Sequence, residues 1–199
     1  MIRGYKGSDL ISGFFYFVVG NVFGRIFYEK KYLNTKWFKS RWGGIMAPGW
    51  KWICVDFFGK RYNPGVPWPC SPYIRVGNFK NIHFDPEDIN NFQGFGNYFQ
   101  TLNDGNIYIG KGTWIAMNVG IITANHNLRN PDIHQESEDV VIGEHCWIGM
   151  NSMILPGVIL GDHTVVGAGS VVTKSFSNGN CLIAGNPARF IKQLDDSIY

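Results

Sequence analysis

Residues 76–192 predict an all-β fold, a parallel β-helix of short strands wound into triangular coils. Three observations carry that reading. The first is a period of six: Ile142, Ile148, Ile154, Leu160, Val166 and Val172 recur without interruption between 142 and 177. The second is a column four residues behind each of them, Cys146, Ser152, Val158, Thr164, Ser170 and Phe176, small or apolar throughout. The third is an internal copy, in which Trp114-Ile115-Ala116-Met117-Asn118 returns as Trp147-Ile148-Gly149-Met150-Asn151, 33 positions later. A period of six fits neither the 3.6 residues of a helical turn nor the two-residue alternation of a lone strand, so it marks a repeat architecture. Three hexads close a coil of about 18 residues. The aliphatic points into the shaft, the small residue fills the core beside a corner, and Gly143, Gly149, Gly161 and Gly167 ease the bend.

The copy spacing exceeds one coil by about 15 residues, so residues 127–141 are expected to loop out of the shaft. Ile109, Ile115 and Ile121 then belong to the preceding coil. The loop is polar, with Pro131, Asp132, His134, Glu136, Glu138 and Asp139, and it starts immediately after His126. A loop of that length inside a regular shaft is usually functional or disordered.

Composition fits one globular domain with an appendage: 199 residues, 45% hydrophobic and 17% charged. The net charge of +3 hides an asymmetry. Residues 25–61 hold nine Lys and Arg against Glu29 and Asp56, whereas residues 62–199 hold seven basic against twelve acidic side chains. Cys54, Cys70, Cys146 and Cys181 show no metal-ligand spacing, and reduced cytoplasmic thiols are the expectation.

The N-terminal extension, residues 1–61, opens with the most apolar stretch, residues 10–28. Asp9 can cap a helix there, and Lys30 and Lys31 suit its C-terminal end. Its apolar core, interrupted by Asn21, falls short of the roughly 20 residues that span a bilayer. The stretch lacks the basic start and cleavage site of a signal peptide. It therefore reads as a helix packed on the shaft or a neighbouring subunit, or lying in a membrane interface, with Gly20 and Gly24 forming a GxxxG. Trp37, Trp42, Trp50 and Trp52, interleaved with Lys36, Lys39, Arg41 and Lys51, suit an anionic membrane surface or a cap on the shaft. Nucleic acid is not expected, since no nucleic-acid-binding fold signature accompanies them. Residues 62–75, rich in proline, read as an extended linker. The six-residue rhythm starts raggedly at Val76 and Ile82, Asp85 to Asp88 reads as a turn, and Phe95, Thr101 and Ile107 continue the small-residue column, with Asn97 and Asn103 in place of aliphatics. After Phe176 the rhythm stops; residues 193–199 form a tail.

Candidate chemistry is sparse. The chain has no phosphate-binding Walker loop, no HExxH and no GxSxG. His126 stands out at the lip of the long loop, where a neutral imidazole can take a proton from a hydroxyl. His134 lies in the loop body, either solvated or facing substrate. His145 and His163, one coil apart, should stack at outward turns; surface histidines explain them as well as a metal site does.

The hexads, the long loop after His126, the run VVGAGSVVTK from Val165 to Lys174 and AGNPARFIK from Ala184 to Lys192 resemble the hexapeptide-repeat O-acetyltransferases. Galactoside and maltose acetyltransferases are relatives of that type, and surface-polysaccharide acetyltransferases look closer because of the long aromatic N-terminal part. The resemblance implies a left-handed β-helix, a homotrimer with sites between subunits, acetyl-CoA as donor, a carbohydrate acceptor and no metal. It makes His126 the catalytic base. It sets Met150, Ala168, Thr173 and Lys174 along the coenzyme groove, with Arg189 and Lys192 near its phosphates. Asp104, and more weakly Asn103, match acceptor-sugar contacts. The expected activity is direct acetyl transfer to a sugar hydroxyl in surface polysaccharide biosynthesis. The expected location is the cytoplasm, including the inner face of the membrane, with residues 10–52 as a peripheral membrane contact. Transfer to an amino sugar or amino acid, or a non-catalytic scaffold, are the alternatives. A trimeric metal-dependent hydratase would need three converging histidines, which the spacing around His126 does not offer.

Overall fold

A computed structural model describes residues 7–39, 45–59 and 62–195. The chain forms two compact units, Met1–Pro72 and Tyr73–Tyr199.

The second unit is built of short strands: β1 (Arg75–Val76), β2 (Ile82–Phe84), β3 (Tyr98–Gln100), β4 (Ile107–Ile109), β5 (Trp114–Ile115), β6 (Gly120–Ile122), β7 (Val140–Ile142), β8 (Trp147–Ile148), β9 (Met153–Ile154), β10 (Ile159–Leu160), β11 (Val165–Val166), β12 (Val171–Val172), β13 (Cys181–Gly185) and β14 (Ala188–Gln193). They form three sheets. The first runs β1-β3-β6-β9-β12, the second β2-β4-β7-β10, and the third β5-β8-β11-β13-β14. From β3 to β12 the chain visits the sheets in strict rotation, and every pairing but that of β13 with β14 is parallel. The six-residue rhythm is the length of one side.

Each aliphatic column becomes a stack inside the shaft. Phe99, Ile121, Ile154 and Val172 align in the first sheet, Ile109, Ile142 and Leu160 in the second, and Ile115, Ile148, Val166 and Ile183 in the third. All are buried. At about 1.5–3 kcal/mol for each side chain removed from water, these stacks are the main stabilising term. The i+4 column fills the corners: Cys146, Ser152, Val158, Thr164 and Ser170 are buried, Phe176 half-buried. The copy reappears as register, with Trp114 beside Trp147 and Ile115 beside Ile148.

The corners need left-handed backbone. Gly112, His145, His163 and Asn180 hold positive φ where the second sheet passes to the third, and Asn118, Asn151 and Gly169 where the third passes to the first. Asparagine tolerates this conformation because its short amide bonds locally. Here Asn118 Nδ2 also donates to Asn151 Oδ1, 2.8 Å away, tying successive coils.

The early register differs from the expected one. Thr101 and Ile107 are buried as anticipated, but Phe95 is exposed, and Phe99 rather than a residue at 97 or 103 occupies the core position beside Ile121. Side-chain oxygens replace missing strand partners at this end. Asp85 caps a 3-10 turn, Pro86–Phe92, by accepting from Glu87 N. Asp88 then accepts from Gly112 N at 2.6 Å, Asn91 from Ile115 N at 2.9 Å and Asn97 from Val119 N at 3.2 Å. These bonds occupy backbone donors that would otherwise form an open sheet edge. At the other end, the antiparallel β13–β14 hairpin closes the third sheet.

In the first unit, α1 (Gly7–Phe27), α2 (Lys30–Leu33) and α3 (Pro48–Phe58) are helical. Asp9 therefore lies in the first turn of α1, not at its cap, and Lys30 and Lys31 open α2 rather than close α1. The helix continues through Asn21 and Arg25, so it is longer than its apolar core suggested: Ser8–Phe27 is long and apolar enough to cross a membrane. Gly20 and Gly24 form the seam with α3, and Gly13 meets the segment just before it. A Cβ at Gly20 would stand 2.8 Å from the Trp50 carbonyl oxygen, at Gly24 2.8 Å from Ile53 Cδ1, and at Gly13 against Met46 Sδ. The GxxxG is thus an intrachain packing surface. Trp50 and Ile53 are buried with Tyr28, Phe38 and Ala47, and the Trp37 and Trp52 rings lie 5.2 Å apart. Arg41 and Trp42 lie outside the described residues. Nor is the proline-rich stretch a free linker up to Pro72: Val66, Trp68 and Cys70 are buried, and Asp56 accepts from Tyr28 Oη at 2.5 Å and Cys70 N at 3.2 Å.

Candidate active site

Where the first sheet passes to the second, successive coils bring four chain segments to one corner: the turns after β3, β6, β9 and β12. Asn103 and Asp104 lie in the turn after β3, His126 in the excursion after β6, and Thr173 and Lys174 in the turn after β12. All five are exposed. The rotation of the chain among the sheets is what gathers residues separated by 70 positions.

Both ends of the long excursion are fastened to the Asn103–Asp104 turn. Gln100 Oε1 accepts from Thr123 N at 3.2 Å and Ala124 N at 3.3 Å, and Thr123 Oγ1 accepts from Leu102 N at 3.1 Å. On the returning side, Ser137 Oγ donates to Leu102 O at 2.8 Å, and Asp139 Oδ1 accepts from Asn106 N at 2.8 Å. Gly105 sits between the two ends, where a Cβ would come within 2.7 Å of both Ser137 Cβ and Thr123 Cβ. The chain re-enters the shaft at Val140, so the excursion ends two residues before the expected bound of 141.

The excursion is itself a hairpin. His126 and His134 face each other in an antiparallel bridge, with Asn127 N donating to Ile133 O at 2.7 Å and Gln135 N to Asn125 O at 2.8 Å. At its tip, Asn127 Oδ1 accepts from Arg129 N and Asn130 N, a local turn typical of asparagine. The His126 and His134 ring centroids are 4.3 Å apart, so His134 is a neighbour of the candidate base.

His126 Nδ1 lies 2.6 Å from the Pro131 carbonyl oxygen. A carbonyl can only accept, so in the neutral imidazole this geometry assigns the proton to Nδ1 and leaves Nε2 with its lone pair. That is the arrangement a general base requires: one ring nitrogen held by a fixed acceptor, the other open to a hydroxyl.

The remaining predicted residues lie elsewhere. Met150 and Ala168 occupy equivalent turns of successive coils, where the third sheet passes to the first, and Gly169 N donates to Met150 O at 2.8 Å. Both are exposed, as are Met117, Trp114 and Trp147. Arg189 and Lys192 lie on β14 opposite Ala184 and Leu182. One side of the shaft, the first sheet, lies between the corner of Met150 and Ala168 and the His126 corner, whereas Arg189 and Lys192 lie on the edge strand of the third sheet. Lys174 Nζ stands 5.6 Å from the Phe176 ring centroid.

Other chemistry finds little support. The buried cysteines are free, and burial pushes the Cys146 thiol up to about 11, which keeps it protonated and unreactive. His145 and His163 stack as expected, 5.3 Å apart and 9° from parallel. Among the described residues, no group of three or more His, Cys, Asp or Glu is placed to hold a metal ion. Sequence reasoning missed the Pro131 carbonyl, the Gln100 anchor and the His134 contact. Asn130-Pro131 was a readable turn signal, but nothing local said which carbonyl would meet the imidazole.

Residues 139–174 match the bacterial transferase hexapeptide (six repeats) family. A candidate acetyltransferase of Dictyostelium discoideum is 42% identical over 127 residues, which cover 62% of this chain and 63% of that protein. The galactoside O-acetyltransferase of Lactococcus lactis is 34% identical over 131 residues, 64% of this chain and 59% of the relative. The chain thus spans less than two thirds of either relative. A hexapeptide-repeat-containing acetyltransferase of Vibrio cholerae, solved in complex with acetyl coenzyme A, is 29% identical with 62% of each chain covered and a TM-score of 0.47.

Proposed function

We propose that this hexapeptide-repeat protein is an acetyl-CoA-dependent O-acetyltransferase acting on a sugar hydroxyl in surface polysaccharide biosynthesis, and that its shaft is a left-handed β-helix. The observation that carries the reading is His126, held through Nδ1 by Pro131 on the same corner as Asn103, Asp104, Thr173 and Lys174. The galactoside O-acetyltransferase relative supports the acceptor class.

In this mechanism Nε2 of His126 takes the proton from the sugar hydroxyl while that oxygen attacks the thioester carbonyl carbon. The C–S bond then breaks, and the proton passes from His126 to the departing thiolate. No nucleophilic side chain takes part, which agrees with the buried, protonated Cys146. Asn103 and Asp104 orient the acceptor. Met150 and Ala168 line the coenzyme groove with Thr173 and Lys174, and Lys174, Arg189 and Lys192 pair with its phosphates. Because the groove residues lie on two corners, the reading includes a homotrimer in which one subunit's wall completes another's site. Thiol release from acetyl-CoA across a panel of sugar, amino-sugar and amino-acid acceptors tests the activity, with light scattering for the trimer. Transfer confined to amines, or none to any acceptor, would overturn the assignment.

The reading also places the protein in the cytoplasm against the inner face of the membrane, through residues 10–52. Leu10, Ile11, Phe14, Phe15, Val18, Val22 and Ile26 leave one face of α1 apolar and exposed. The opposite face is occupied along its length by the chain near Met46, Trp50 and Ile53. A spanning α1 would carry that flanking backbone, with Asn34 and Lys36 in its connection, to membrane depth. Lying in the interface avoids the desolvation cost.

A further inference from the structure

A cleft of about 500 Å³ opens in the first unit, lined by Asn21, Arg25, Tyr28, Lys30, Leu33, Asn34 and Trp50. It is distinct from the His126 corner, and its lining is unusual in sign. Arg25 and Lys30 supply two cations, and among the described residues no carboxylate lines it. Glu29, the acid nearest in sequence, is engaged elsewhere: its Oε2 pairs with Lys31 Nζ at 2.9 Å. Among the described residues neither Arg25 nor Lys30 has an ion-pair partner.

The polar lining supplies hydrogen-bond donors beside the two cations. The Asn21 and Asn34 amides add further donors. Two cations and several N–H donors around a cleft of this size match an anion with several oxygens, which is the chemistry of a phosphate group.

The setting says what carries the phosphate. Arg25 belongs to the same helix as the exposed apolar face, beside Ile26 at 65% exposure. An amphiphile whose chains lie along that face would bring its headgroup to the cleft. We propose that the cleft binds the phosphate headgroup of a membrane lipid and so fixes the N-terminal unit on an anionic surface, a site that rests on the membrane reading above.

The test is flotation of the full chain with three sets of phosphatidylcholine vesicles: neutral, containing phosphatidylserine, and containing phosphatidate at matched surface charge. The proposal expects strongest binding to phosphatidate. Arg25→Gln with Lys30→Gln should weaken it at least tenfold. Lys36→Gln with Lys39→Gln, an equal charge loss outside the cleft, should cost markedly less. Equal losses for the two charge pairs would leave general surface attraction and overturn the site while sparing the membrane reading. Failure of the wild type to float with any vesicle would overturn both. Calorimetry with inorganic phosphate separates the two sources: tight binding of free phosphate with no preference among vesicles would overturn the lipid assignment. Trimer mass and near-ultraviolet spectra of each variant confirm that the fold is retained.

Discussion

His126→Asn separates the chemistry at His126 from the architecture around it. The asparagine amide nitrogen sits at nearly the same distance along the side chain as Nδ1, so it can still donate to the Pro131 carbonyl that lies 2.6 Å from the imidazole. What it removes is the second nitrogen. General-base assistance contributes typically about 10²–10⁴-fold, equivalent to about 2.7–5.5 kcal/mol of activation free energy. The fold should barely respond, because His126 is exposed and its one side-chain bond is replaced. A residual difference below about 1 kcal/mol would move the melting temperature by no more than about 4 °C. His126→Ala, which also frees Pro131, should lose at least as much turnover. Single-turnover acetyl transfer, with coenzyme affinity measured alongside, reads the effect in the chemical step rather than in binding. A His126→Asn enzyme that keeps more than a tenth of the wild-type rate would remove the imidazole from the role of base.

Three further outcomes follow from the packing. Ile148→Ala empties a fully buried position between Ile115 and Val166 and should cost about 2–5 kcal/mol in denaturant melts, whereas Ile159→Ser, 44% exposed, should change little. Cys146 has its folded pKa raised from 9.0 to about 11, so its stabilising contribution is complete below pH 9 and is lost as pH rises toward 11. The loss amounts to about 2–3 kcal/mol, and a Cys146→Ala variant should show a flatter stability profile over that window. Gly20→Ala sets a methyl group 2.8 Å from the backbone oxygen of Trp50, while Gly24→Ala meets the ends of the Ile53 and Leu33 side chains. Circular dichroism melts should therefore show the larger destabilisation at Gly20, and equal effects would refute the seam.

The shaft was legible from composition order alone, because a core filled by one side chain per side imposes its period directly on the sequence. Ile142 to Val172 could be assigned to the interior residue by residue, and Trp114 to Asn118 could be laid beside Trp147 to Asn151 before any coordinates. Where partners come from side chains rather than strands, as at Asp88, Asn91 and Asn97, the period disappears and the register with it. His126 could be singled out from loop spacing, but its tautomer depends on the Pro131 carbonyl, which only the folded hairpin brings near. The same holds at the N-terminus. The sequence shows an apolar helix followed by tryptophans and cations; only packing decides that glycine lets α3 approach, that Trp50 turns inward, and that Arg25 and Lys30 share a cleft. Periodic burial is written locally, once per repeat. Hydrogen-bond partners distant in sequence, and close helix approach, are properties of two segments at once and become visible only when both are in place.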